Sequence, residues 1–142
     1  MHATNDRHEM RPGLVRGGEM RTIRIVTIAA GMLLAALGIW GLVAPRSFYD
    51  VVATYPPYHE HFLHDVGAFQ LGLGVVLLLA VAVRDALLVA LAGVGVGTAA
   101  HTVAHVMDLG QGGRASDPWL LGALSIVVLA AAARRWREVR AT

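Results

Sequence analysis

Between Ile25 and Ala44 the chain reads "IVTIAAGMLLAALGIWGLVA", about 20 residues without a charge. At 1.5 Å per residue, a helix of that length matches the roughly 30 Å hydrocarbon core of a bilayer. Three further apolar stretches follow. The expected fold is therefore all-α: four transmembrane helices, about 22–44, 61–83, 86–107 and 118–138, packed as an antiparallel bundle. A soluble bundle would require each of these segments to be buried on every side within one small protein. Composition points the same way, because 56% of the residues are hydrophobic and only 15% charged, against roughly 45–50% and 25% in ordinary soluble domains.

With 142 residues, one domain is expected, over 21–142, behind a flexible cytoplasmic tail at 1–20 that carries Pro12 and shows no apolar periodicity. Cleavage of the first apolar stretch as a signal peptide is not expected, since it is too long and Pro45 follows Ala44. The chain has no cysteine, which excludes disulfides, thiolate metal sites and thiol catalysis. No nucleic-acid partner is expected; the expected partner is the lipid bilayer.

The connections are informative. "PRSFYDVVATYPPYHE" holds all three tyrosines, and Phe48, Val51, Val52 and Tyr55 at helical spacing predict a short interfacial helix ended by Pro56. Only Arg84 and Asp85 separate the second and third spans, which predicts a tight hairpin. "DLGQGGRASDP" reads as a glycine-rich loop, with Asp117 as cap and Pro118 in the first turn of the fourth helix.

All twelve basic residues are arginine. Ten of them, Arg7, Arg11, Arg16, Arg21, Arg24, Arg84, Arg134, Arg135, Arg137 and Arg140, fall on one side of the predicted bundle, and only Arg46 and Arg114 on the other. The positive-inside rule then predicts a multi-pass protein of the inner (plasma) membrane with both termini cytoplasmic. Gly67, Gly72 and Gly74, with "GVGVG" at 93–97, predict close helix contacts in the hairpin, and Gly93 with Gly97 is a weak GxxxG pointer to a homo-oligomer. Gln70 is expected to hydrogen-bond between helices.

Five of the seven histidines gather at the end of the hairpin away from most arginines: His59, His61 and His64 entering the second span, His101 and His105 leaving the third. Asp65 and Asp108 accompany them. Counting outward from the Arg84–Asp85 turn sets His64 level with His105 and His61 level with Asp108. On each helix the i, i+4 spacing puts His61 with Asp65 and His101 with His105 on one face. Ionisable groups in a membrane helix are costly and by default seek partners in the protein interior. Zinc, copper and iron all accept imidazole and carboxylate ligands, so His61, His64, Asp65, His101, His105 and Asp108 form a candidate metal-ligand set. The competing reading is a structural His/Asp network that fixes helix packing. Haem between facing histidines and proton handling carry less weight, and His59 is expected to face water. The spacing satisfies neither HExxH nor a paired ExxH pattern, so no reaction is named.

"GIWGLVAPRSFYD", "YPPYHEHFLHDVGAFQLGLG", "HTVAHVMD" and "SDPW", in this order over residues 25–133, resemble the small four-helix membrane proteins grouped as DoxX-like, including actinobacterial integral membrane proteins of unassigned activity. What the resemblance implies is mostly a fold. Named DoxX relatives are similar to the small membrane subunit of thiosulfate-quinone oxidoreductase, which implies a component of a larger membrane complex and transfers no catalytic residue.

Overall fold

The computed structural model describes residues 12–83 and 86–141, which form five helices and no strand: α1 (Pro12–Val43), α2 (Pro45–Val51), α3 (Glu60–Ala82), α4 (Ala86–Met107) and α5 (Asp117–Arg140). Four of them, all but α2, are long and apolar enough to cross a membrane. The protein is an all-α four-helix bundle whose exposed apolar side chains, Phe69, Met32 and Val89 among them, suit a lipid environment.

The helix ends differ from expectation in instructive ways. α1 starts at Pro12 rather than near residue 22, so 12–20 are its first turns, while 1–11 of the expected tail lie outside the described residues. Proline fits a first helical turn, and once a helix is nucleated each further residue adds a backbone bond. α2 stops at Val51 and leaves Val52 and Tyr55 outside it. The residue before a proline is pushed away from helical backbone angles, and Tyr55 precedes Pro56. At α5 the cap position is Ser116, not Asp117, and it makes no side-chain cap bond. The Asp117 carboxylate instead accepts the Arg114 backbone N–H at 2.8 Å.

α3 packs mainly along α1, and α4 mainly along α5; the α3–α4 hairpin contact is much slighter. Glycine spacing explains the first pairing. Gly31 and Gly38 on α1 and Gly67 and Gly74 on α3 recur at seven residues, and the antiparallel helices set Gly38 against Gly67 and Gly31 near Gly74. A methyl group at Gly67 would lie 2.9 Å from the Gly38 carbonyl oxygen, and one at Gly74 would lie 2.5 Å from the Ala35 backbone nitrogen. Backbones this close gain packing that lipid tails do not supply. Gly72, Gly93 and Gly97 have open space around them instead, and Gly95 receives the Leu129 side chain of α5.

Polar groups inside the bundle are satisfied locally. Thr27 and Thr98 donate to the carbonyls four residues back, Ile23 at 2.8 Å and Val94 at 2.7 Å, and Ser125 donates across to Gly95 on α4 at 3.3 Å. Gln70 is half-buried and makes no interhelical hydrogen bond among the described residues.

The core lies towards one end. Ile23, Leu77, Leu87, Leu91 and Val128 are its buried centre. On α4 nothing after Thr98 is buried, and on α5 nothing before Ser125. Between α4 and α5 the tight packing therefore sits at the arginine-rich end, whereas α1 and α3 stay closely packed up to the histidine end, where Gly38, Gly41, Phe48, Leu63 and Gly67 are buried.

Candidate functional site

Two loops meet at the histidine end. The Gly113 N–H donates to the Thr54 carbonyl at 2.9 Å, tying the α4–α5 loop to the segment between α2 and α3. Gly112 and Gly113 have φ of 137° and 77°, a region that residues with a side chain rarely occupy. Space imposes the same requirement: a Cβ on Gly113 would sit 2.6 Å from the Tyr55 ring. The double glycine thus forms a seat for Tyr55. Pro56, next in the chain and joined to Pro57 by a cis bond, turns the chain away.

Seated in this way, the Tyr55 hydroxyl lies 3.0 Å from Nδ1 of His105, with the two rings edge to face at 5.5 Å. The other ring nitrogen of His105, Nε2, lies 3.1 Å from Nε2 of His101, one helical turn deeper in α4. The result is a continuous chain, Tyr55 to His105 to His101, running from the loop into the membrane-spanning helix. Sequence reasoning missed Tyr55, whose ring reads as an ordinary interfacial aromatic. The available signal was the pairing of "TYPP" with "GQGG", two rigid turns at the same end of the bundle.

The electrostatics of Tyr55 follow from its seat. Burial raises its phenol above the usual 10.0, and the negative charges of Asp117 and Asp108 raise it further. The hydroxyl therefore stays protonated across the neutral range, able to donate to or accept from Nδ1 according to the imidazole tautomer.

The remaining candidates are distributed around this chain. Asp108 lies just beyond α4 and accepts from the Gln111 side-chain amide at 2.8 Å. His61 and Asp65 pair along α3 at 3.7 Å, with side chains 80% and 56% exposed, so theirs is a surface contact of small energetic weight. His64 is half-buried and has no hydrogen-bond partner among the described residues. His59 is exposed, as expected, and is also the N-cap of α3, accepting the Phe62 backbone N–H on Nδ1 at 3.2 Å. No hydrogen bond or ion pair joins the α3 group to the α4 group among the described residues, and no three His, Asp or Glu side chains there converge as a ready-made metal site. What is brought together is His101, His105 and Tyr55.

A second polar cluster flanks α2. Arg46 pairs with Asp50 at 3.2 Å and lies over the rings of Tyr49 and Tyr58, 5.6 and 5.1 Å from their centroids. It clips α2 to the start of α3 and presents no further donor set.

The paired imidazoles have a definite chemical capacity. Nε2 of His101 and Nε2 of His105, 3.1 Å apart, are the nitrogens that would hold a transition metal. With the His105 proton on Nδ1, donated to the Tyr55 hydroxyl, its Nε2 is an acceptor, the form a metal ligand requires. Comparison with protein-family models, curated proteins and solved structures finds no match.

Proposed function

We propose that this is a small multi-pass protein of the plasma membrane that binds a transition metal, zinc, copper or iron, through imidazoles at the outer end of its bundle, as a component of a membrane oxidoreductase. The observation that carries the reading is the convergence of Nε2 of His101 and Nε2 of His105 at 3.1 Å, with Nδ1 of His105 held by the Tyr55 hydroxyl. Binding an ion there would replace the hydrogen bond between the two Nε2 atoms. Asp108, His64, His61 and Asp65 complete the candidate set; the α3 members would have to approach α4 on binding. The arginine distribution supports cytoplasmic termini, and kinship with DoxX-like membrane proteins belongs to the same proposal.

Metal analysis of detergent-purified protein tests it. Growth with added zinc, copper or iron should give about one ion per chain, and His101→Ala and His105→Ala should each remove most of it. Sub-stoichiometric metal after supplementation with all three would overturn the reading.

A second reading is favoured by the mutual hydrogen bonding of Tyr55, His105 and His101: a non-catalytic accessory subunit in which this network only fixes the loops and helix ends. It predicts that the same substitutions lower thermal stability with no metal to lose.

A further inference from the structure

At the arginine-rich end, opposite the histidines, α4 and α5 leave a groove of about 430 Å³, lined by Leu88 and Ala92 of α4 and by Leu129, Ala133, Trp136 and Arg137 of α5. Its walls are apolar for most of their length and end in a guanidinium. One turn further along α5, Arg140 lies over the Trp136 ring at 5.0 Å. From Leu129 to Arg140, this face of the helix runs from aliphatic to aromatic to cationic, the same order of polarity as a phospholipid read from acyl chain to headgroup.

Charge balance decides what kind of headgroup fits. Glu138, the acid nearest in sequence, is taken by Arg135 at 3.0 Å. Neither Arg137 nor Arg140 has an ion-pair partner among the described residues. Arg137 lines the groove and Arg140 lies over its Trp136 wall, so two cations without an ion-pair partner among the described residues stand together where lipid phosphates would lie. A zwitterionic headgroup brings its own cation to this spot, whereas an anionic one does not. We propose that this groove is a binding site for an anionic phospholipid, with one acyl chain against Leu129 and Ala133, the glycerol region against Trp136, and the phosphate between Arg137 and Arg140.

The groove on the other side of α5 serves as an internal comparison. It is smaller, about 190 Å³, and lies between α1 and α5 with Arg134 at its rim. Arg134 shares the basic character of this end but not the Trp136 wall, so its removal separates a defined site from general attraction to negative lipid.

The test is native mass spectrometry of the full chain, released from detergent supplemented with phosphatidylglycerol or phosphatidylcholine at equal concentration. Wild type should retain phosphatidylglycerol selectively. Each arginine near a lipid surface contributes roughly fivefold in affinity, so Arg137→Gln with Arg140→Gln should weaken retention about 30-fold, while Arg134→Gln, which leaves both of those cations in place, should weaken it no more than about fivefold. Ala133→Phe, which fills the groove and leaves both arginines in place, should weaken retention at least fivefold. Equal retention of the two lipids would overturn the proposal, as would an Arg134→Gln effect as large as that of the double variant. Undiminished retention by Ala133→Phe would overturn it as well. Inorganic phosphate added at millimolar concentration should not displace the lipid; displacement would show a simple anion site and refute the lipid assignment.

Discussion

Tyr55 is the residue on which the candidate site turns, because its hydroxyl reaches from the loop to Nδ1 of His105 and fixes that imidazole in orientation. Removing its hydroxyl by Tyr55→Phe leaves the ring in its glycine seat and frees Nδ1 of His105. The expected loss is about 1 kcal/mol of stability from the hydrogen bond and, if a metal is held, a 10- to 100-fold drop in its affinity, the usual effect of losing a partner that orients a ligand. Thermal unfolding and metal competition measure these separately; an unchanged affinity would confine Tyr55 to packing. The raised phenol pKa carries a pH signature of its own. A group whose folded pKa lies above its unfolded value contributes stability fully present below the unfolded value, here 10.0, and lost as pH rises through the folded one. The phenolate absorbance of Tyr55, isolated as wild type minus Tyr55→Phe, should therefore rise at a midpoint above 10.0. The histidines at 101 and 105 were legible from sequence because i, i+4 spacing fixes their face. Tyr55 was not, since its role depends on the contact of its loop with Gly112 and Gly113 in another and on a partner 50 residues away, which no local period encodes.

Among the helices, what sequence periodicity conveys is which face is small, and what it omits is which neighbour that face meets. Gly67 and Gly74 read as part of the α3–α4 hairpin contact, yet both are spent on α1; Gly95 meets α5, while Gly72, Gly93 and Gly97 look outward. The heptad spacing shared by α1 and α3 was present in the sequence but becomes meaningful only once the two helices are known to be neighbours. Two substitutions of the same kind should therefore have opposite signs. Gly74→Ala drives a methyl to 2.5 Å from the Ala35 backbone nitrogen, which no side-chain rotation relieves, and should cost about 1–3 kcal/mol by forcing the helices apart. Gly72→Ala, two residues away with nothing within 4 Å, should stabilise by about 0.5–1 kcal/mol through helix propensity. Detergent unfolding of both variants side by side measures the contrast, and equal effects would argue against the α1–α3 register described.

For the whole molecule, packing and charge divide the bundle end from end. The largest buried cluster, from Ile23 to Val128, lies towards the arginine-rich end, and on α4 and α5 burial is confined to that end. The other end keeps the imidazoles, the tyrosines and the glycine-rich loop; there α1 and α3 still pack closely through Gly38 and Gly67, and the α4–α5 loop is tied on by Gly113 to Thr54. The four spans and their order were readable from length and hydrophobicity, because the bilayer admits so few alternatives. The pairing of α1 with α3 and α4 with α5, and the lack of buried residues on α4 and α5 at the histidine end, follow from side-chain fit and could not be read in that way. Which end faces the cytoplasm rests on the arginines, ten against two, a bias large enough for the positive-inside rule to favour one orientation. The absence of cysteine makes this directly measurable. Ser47→Cys and Ser116→Cys place single thiols on exposed residues at the histidine end, and Ala141→Cys places one on an exposed residue after α5. In intact cells a membrane-impermeant maleimide should label the first two and spare the third, which reacts only after the membrane is opened. The reverse pattern would put the histidine cluster in the cytoplasm, where its candidate metal would come from the cell's interior supply rather than from outside.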